Sequence, residues 1–296
     1  MSDSEKLQKV LARAALGSRR EMETAIERGQ VTVNGKVATI GDRVTNLDKI
    51  FYKGRPVNSD LSQHRVRAII YNKPEGEICT RSDPEGRPTV YRHLPTLREG
   101  RWVAIGRLDI NTSGLLIFVN DGELANRLMH PSSQLEREYL VRVFGDVEEE
   151  MLDRLKEGVL LEDGPAKFTK IAATQHQSSN RWFYCSIMEG RNREVRRLWE
   201  SQGLKVNRLK RVRYGKLIIP SYLKTGQWLE LSPHELNDLA ATVDFTISKQ
   251  RAALDLDDKK RMQRREKLLR RGGKPKSKFK VQTKSKSRID PKKTSH

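Results

Sequence analysis

Residues 106–116 read GRLDINTSGLL, and small, polar and glycine residues separate two apolar runs there. The run before this segment, residues 102–105, and the run after it, residues 115–119, have the composition of strands. A loop held between two strands often displays catalytic groups, because the strands fix its position. Asp109 is the carboxylate of this loop, although taken alone it could simply close an Asx turn.

Outward from this loop, residues 65–243 show a mixed pattern of strands and helices. The predicted strands are 66–71, 102–105, 115–119, 139–144, 182–188, 209–214 and 228–231. The predicted helices are 123–129, 148–157, 193–202 and 233–242. Strands outnumber helices and come in groups, so we predict an α+β domain with a mostly antiparallel sheet.

The first sixty residues predict a small separate unit of two helices followed by a hairpin. Gly17 can end the first helix, and Ser18 can cap the second with Glu21 as its capping-box partner. The second helix should stop at Gly29. The pair Asn34-Gly35 between β-forming residues predicts a tight hairpin turn, since both central residues of such a turn need positive φ.

This pattern, clearest in LQKVLARAALGSRREMETAIERGQVTVNGK, resembles the S4 RNA-binding domain. The resemblance implies that residues 1–60 form an S4-like α/β module that binds folded RNA through a basic face. The candidate RNA-binding residues of the module are Arg13, Arg19, Arg20 and Lys36. A charged face turned to solvent would explain any one of them equally well.

The net charge of the chain is +20, with a pI near 10.0, which indicates a polyanionic partner. Residues 249–296 hold 19 Lys and Arg against 5 Asp and Glu, and so contribute +14 of that total. This segment is poor in apolar residues, so we predict a disordered basic tail that contacts nucleic acid. A solvated tail that only aids solubility is the alternative.

Several function classes find no support in the sequence. The chain contains 2 cysteines, which excludes a disulfide framework, and its 6 histidines show no metal-ligand spacing. No glycine-rich phosphate loop is present, so no cofactor is expected. No apolar run approaches the roughly 20 residues of a membrane-spanning helix. The first ten residues also lack the apolar core of a secretory signal, and we expect a cytoplasmic protein.

Four motifs in order resemble those of the RsuA/RluB group of pseudouridine synthases. They are YNKP at 71–74, GRLD at 106–109, REY at 137–139 and EGRNREVRR at 189–197. One turn motif arises easily by chance, whereas four in sequence do not. The resemblance continues to about residue 243 and includes the order of an S4 module followed by a catalytic domain.

The resemblance implies a catalytic role for Asp109, Tyr139 and Arg196. Asp109 would be the catalytic carboxylate and Arg196 its basic partner in an ion pair, while Tyr139 would stack on the target base. The other basic residues of these motifs are candidate RNA contacts: Arg107, Arg191, Arg193 and Arg197. The implied reaction converts a uridine of large-subunit (23S) ribosomal RNA to pseudouridine on a flipped-out base, without a cofactor.

Two alternatives remain open at the level of the sequence. A non-catalytic S4-type RNA-binding or ribosome-assembly factor would share the charge, the module and the tail. The same chemistry could also act on small-subunit ribosomal RNA or on tRNA. We expect a monomer that works on ribosomal RNA and has no membrane partner.

Overall fold

The computed structural model describes residues 4–57, 65–97, 100–174 and 180–247. The first of these ranges folds as a small unit whose core includes Leu11, Ile26 and Ile50. Its helices are α1 (Leu7–Arg13) and α2 (Arg19–Glu27). Its strands are β1 (Glu5–Lys6), β2 (Val31–Val33), β3 (Lys36–Val37), β4 (Arg43–Val44), β5 (Ile50–Tyr52) and β6 (Arg55–Pro56).

Local sequence signals account for the shape of this unit. The Ser18 hydroxyl accepts from the Glu21 N–H at 3.1 Å, and the Glu21 carboxylate accepts from the Ser18 N–H, which completes the predicted capping box. Asn34 and Gly35 have φ of +52° and +82°, as the tight turn between β2 and β3 requires. The predicted helix–helix–hairpin order is therefore confirmed.

The larger unit is built on one mixed sheet. Its strands, together with a separate hairpin of β11 and β12, are β7 (Ala68–Lys73), β8 (Val103–Ala104), β9 (Ser113–Val119), β10 (Arg137–Phe144), β11 (Val159–Leu161), β12 (Gly164–Ala166), β13 (Lys170–Ala173), β14 (Asn180–Ile187), β15 (Lys205–Tyr214), β16 (Leu217–Ile218) and β17 (Trp228–Glu230). Its helices are α3 (Gly122–Met129), α4 (Glu149–Glu157), α5 (Glu194–Glu200) and α6 (Pro233–Ala241).

The order of strands across this sheet is β13-β14-β10-β15-β9-β7-β17. Among the described residues, the strands of the sheet pair antiparallel except for β15 and β9, which run parallel. The predicted α+β class with a mostly antiparallel sheet is confirmed.

Strand β9 is buried because both faces of the sheet are covered. Leu116 and Phe118 face a core that includes Trp199 of α5, whereas Leu115 and Ile117 face the core formed with α3 and α6. Successive side chains of a strand point to opposite faces, so a doubly covered strand is apolar throughout. The start of β9, directly after the GRLD loop, therefore lies at the centre of the sheet.

Three strands in the middle of the chain were not predicted. The hairpin of β11 and β12 consists of three-residue strands, one of which contains Pro165, and such short segments show no period of two. β13 is also short and lies at the edge of the sheet. The predicted tail at 249–296 lies outside the described residues. Within the described ranges, no helix has both the length and the apolar character needed to cross a bilayer.

Candidate active site

Asp109 lies in the loop between β8 and β9 and lines a cleft of about 380 Å³. The loop is closed by its main chain, since the Thr112 N–H donates to the Asp109 carbonyl at 3.0 Å. No donor among the described residues bonds to the half-buried Asp109 carboxylate. The side chain therefore does not form the Asx turn that its position in the sequence allowed, and its carboxylate is free to meet a ligand.

Lys73, at the end of β7, holds this loop from beneath. Its ammonium is fully buried and donates to the carbonyls of Pro74, Asp109 and Thr112 at 2.9, 3.1 and 2.9 Å. Burial lowers the pKa of Lys73, and nearby acidic groups that include Asp109 oppose that shift. Lys73 was part of the YNKP motif but had no predicted role. The one signal in the sequence for a buried role was that this lysine lies at the end of an apolar strand.

Gly114 allows the loop to enter the sheet beside β15. Its φ is +102°, and a Cβ at this position would lie 2.2 Å from the Arg211 carbonyl oxygen. Any other residue would therefore clash with the neighbouring backbone. The glycine of GRLDINTSGLL is thus required by the close approach of β9 and β15, which places Asp109 at the centre of the sheet.

Arg196 lies below the loop but does not form the predicted ion pair. Its guanidinium is buried and donates to the carbonyls of Asn111 and Val206, each at 2.8 Å. The described residues show no hydrogen bond or ion pair between the Arg196 guanidinium and the Asp109 carboxylate. Burial lowers the pKa of Arg196, while the charge of Asp109 acts to raise it. Arg196 therefore holds the backbone of the loop that carries Asp109, and its charge interacts with that of Asp109 without a direct bond.

Tyr139 is buried in β10 and lines the same cleft as Asp109. Its strand neighbour in β15 is Arg211, another residue of the cleft. Sequence reasoning did not select Arg211. Its position beside Tyr139 depends on the register between two strands about seventy residues apart along the chain, for which no local signal exists.

Two of the candidate RNA-binding arginines extend from the rim of the cleft into solvent. Arg107 and Arg193 are exposed, and both also border a second cleft that Asp109 lines as well. Arg193 has a left-handed backbone with φ of +48° at the start of α5 and lies 3.5 Å from Glu200. Exposed guanidinium groups that line the same clefts as a free carboxylate suit the phosphates that flank a bound nucleotide.

The other two candidate RNA-binding arginines, Arg191 and Arg197 of the EGRNREVRR motif, bind a carboxylate of the protein. The Arg197 guanidinium donates to both carboxylate oxygens of Asp163 at 2.8 and 2.7 Å, and Arg191 donates to one of them at 3.0 Å. The bond from Arg197 lowers the pKa of Asp163. These pairs pin the hairpin of β11 and β12 to α5. RNA contact by Arg191 and Arg197 stays a prediction.

The candidate residues of the small unit are placed differently from one another. Arg19, Arg20 and Lys36 are exposed, whereas Arg13 is half-buried and pairs with Glu5. The residues that line the cleft all come from the larger unit. RNA binding by the small unit therefore stays a prediction. In the described part of the chain, no cluster of three or more His, Cys, Asp or Glu could hold a metal ion.

Comparison with family models gives two matches. Residues 67–201 match the model described as RNA pseudouridylate synthase, and residues 5–50 match that of the S4 domain. A solved structure described as "Crystal structure of pseudouridylate synthase" aligns with a TM-score of 0.56 at 27% sequence identity. The alignment covers 79% of this chain and 99% of that one.

Curated relatives support the same assignment. A protein of Pseudomonas aeruginosa named ribosomal large subunit pseudouridine synthase B is 57% identical over 241 residues, which cover 81% of this chain and 62% of the relative. The protein of the same name in Salmonella typhimurium is 56% identical over 82% of this chain and 84% of the relative. The resemblance carried by the four motifs is confirmed, and the chain belongs to the RNA pseudouridylate synthase family, an enzyme family, with an S4 domain ahead of its catalytic domain.

Proposed function

We propose that this protein isomerises a uridine of large-subunit (23S) ribosomal RNA to pseudouridine, with Asp109 as the catalytic carboxylate. The observation that carries the proposal is the free Asp109 carboxylate, held in a cleft by a loop whose backbone is bonded to Lys73 and Arg196. The names of the relatives support large-subunit ribosomal RNA as the substrate.

The chemistry of the reaction suits this arrangement. Detaching uracil from C1′ builds positive character on the ribose, and a nearby carboxylate stabilises it. Asp109 can attack C1′ or remove a proton from C2′, and both routes lead to the same product. Tyr139 can stack on the detached base, and its hydroxyl can help to remove the C5 proton. The target base must leave its stack to enter the cleft, so unpaired or bulged uridines are the easier substrates.

The setting of the reaction is part of the proposal. No electrons and no external group are transferred, so the residues of the cleft suffice without a small-molecule cofactor. The S4 domain and the net charge of +20 support a ribosomal RNA partner. We propose a monomeric cytoplasmic enzyme, and light scattering after size-exclusion chromatography tests its oligomeric state.

The direct test is to map pseudouridines in a bacterial strain that lacks its own copy of the enzyme. Carbodiimide-dependent stops in primer extension mark each modified position. Wild-type protein should restore a stop in 23S RNA, and Asp109→Asn should not. Exposed Glu150 on α4 supplies the control, since Glu150→Gln removes a carboxylate that lines neither cleft and should restore the stop.

Two results would contradict the proposal. If wild type and Asp109→Asn give the same primer-extension stops, the assignment of Asp109 is wrong. If the restored stop lies in small-subunit ribosomal RNA or in tRNA, the chemistry stands and the proposed substrate is wrong.

A further inference from the structure

Arg211, on β15, is a buried cation that lacks a full set of partners. It is 3% exposed, and its Nε donates to the Leu115 carbonyl at 2.8 Å. Within the described residues, its Nη2 has no hydrogen-bond partner. The guanidinium also lies 5.4 Å from the centre of the Tyr214 ring, but this contact leaves Nη2 without an acceptor. A buried donor of a charged group that finds no acceptor destabilises a fold. Such a group at the edge of a cleft points to a ligand that supplies the missing acceptor.

The register of the sheet places this guanidinium in the active site. Arg211 pairs directly with Tyr139 on one side and with Gly114 on the other. Side chains directly opposite in an antiparallel pair share a face, with Cβ atoms about 4.5–5.5 Å apart. Arg211 and Tyr139 also line the cleft that holds Asp109. A base stacked on Tyr139 would therefore lie beside the Arg211 guanidinium.

We propose that Arg211 is a further catalytic residue, which binds a carbonyl oxygen of the target uracil and stabilises negative charge on the detached ring. This inference rests on the proposed function. When the C1′–N1 bond breaks, its electron pair passes to the uracil, where N1, O2 and O4 share the charge. The C1′–C5 bond then forms, C5 gives its proton to a base, and N1 is protonated, so the product is an isomer.

The division of labour follows from the charges of the two groups. Asp109 meets positive character on the ribose, and Arg211 meets negative character on the base. A charged donor that is already buried needs no reorganisation during the reaction, and its bond is stronger than in water. The exposed guanidinium groups of Arg107 and Arg193 are better placed to bind phosphates, because a phosphate would have to leave solvent to reach Arg211.

The test compares Arg211→Gln and Arg211→Lys with wild type on an RNA stem-loop that carries the mapped uridine. Single-turnover rate, RNA affinity and thermal unfolding are measured for each protein. Arg211→Gln should slow the single-turnover step by about 100- to 1000-fold, the usual loss of a preorganised donor. RNA affinity should stay near that of wild type, and Tm should change little, because the lost bond to the Leu115 carbonyl is offset by removal of an incompletely paired buried charge. Lys205→Gln removes an exposed charge from the same strand and should match wild type in all three.

A second measurement changes the substrate as well as the protein. Replacing O2 or O4 of the target uracil by sulfur weakens that atom as a hydrogen-bond acceptor. One of the two substitutions should slow wild type, and the same substitution should have no further effect in Arg211→Lys, which retains the charge but not the planar donor group.

Each outcome decides the inference. A single-turnover rate equal to that of wild type in Arg211→Gln overturns it and leaves the proposed function intact. A loss confined to RNA affinity shows a phosphate contact and also overturns it. A structural role only is shown if both variants lose rate and Tm to a similar extent and the sulfur substitution slows Arg211→Lys as much as wild type. If wild type makes no pseudouridine, the proposed function and this inference fall together.

Discussion

Replacing Lys73 by methionine tests how the loop that carries Asp109 is held in place. The substitution keeps the length of the side chain but removes the donor to three carbonyl oxygens. A hydrogen bond from a charged group contributes about 1.5–3 kcal/mol, so three of them amount to about 4.5–9 kcal/mol. Methionine also removes the burden of a buried ammonium, which is several kcal/mol and is reflected in the lowered pKa of Lys73. We expect a net loss of about 2–4 kcal/mol in the free energy of unfolding.

Thermal unfolding and single-turnover kinetics measure the two effects of Lys73→Met. At about 2–4 °C per kcal/mol for a domain of this size, Tm should fall by about 4–16 °C. Below that Tm, the rate should drop by about 100-fold, because Asp109 loses its support and small misplacements are costly. Lys205→Met alters an exposed lysine and should change Tm by no more than about 2 °C. A Lys73→Met protein with the Tm and the rate of wild type would refute the anchoring role.

Three further predictions concern packing, pH and the tail. Gly114→Ala should lower the free energy of unfolding by about 3 kcal/mol or more, because its Cβ would lie 2.2 Å from a backbone oxygen. The control Gly86→Ala, in open space at φ +71°, should lose about 1 kcal/mol, and thermal unfolding measures both. Burial acts to raise the pKa of Glu136, but Arg213 at 2.6 Å and the Thr169 hydroxyl at 2.9 Å together outweigh it and lower the pKa from its usual 4.5. The stability from this pair is therefore present above about pH 4.5 and is lost as pH falls through the lowered pKa, so Glu136→Gln should flatten the acid side of a plot of Tm against pH. Removing residues 249–296 should weaken RNA binding and flatten its salt dependence at unchanged saturated turnover, and an unchanged salt slope would contradict a phosphate-binding tail.

The elements with a clear local pattern could be predicted from the sequence. The capping box at Ser18 and the Asn34-Gly35 turn depend on neighbours within a few residues, and both formed as expected. The apolar run of β9 was recognisable because both faces of the strand are covered. The hairpin of β11 and β12 was missed, because it is held by Asp163 and by arginines about thirty residues further along the chain.

The site shows the same limit more sharply. The motifs selected Asp109 and Tyr139, and both line the cleft. The ion pair of Arg196 with Asp109, which the family resemblance implied, does not form, and the guanidinium bonds to two carbonyls instead. The acceptor that the Arg196 guanidinium binds depends on how α5 packs against the loop. Here it binds the carbonyls of Asn111 and Val206 and not the Asp109 carboxylate. The role of Lys73 likewise depends on a loop thirty-six residues away.

Three buried cations hold the backbone around Asp109. Lys73 bonds the carbonyls of residues 109 and 112, Arg196 that of residue 111, and Arg211 that of residue 115. Each of these bonds goes to the backbone of the loop or of the strand it enters. Because the cations bind main-chain oxygens, they hold the loop and the start of β9 without occupying the carboxylate oxygens of Asp109. A direct ion pair would give the carboxylate a partner that the substrate must displace. Binding the backbone instead keeps Asp109 both fixed and available, as its proposed contact with the ribose requires.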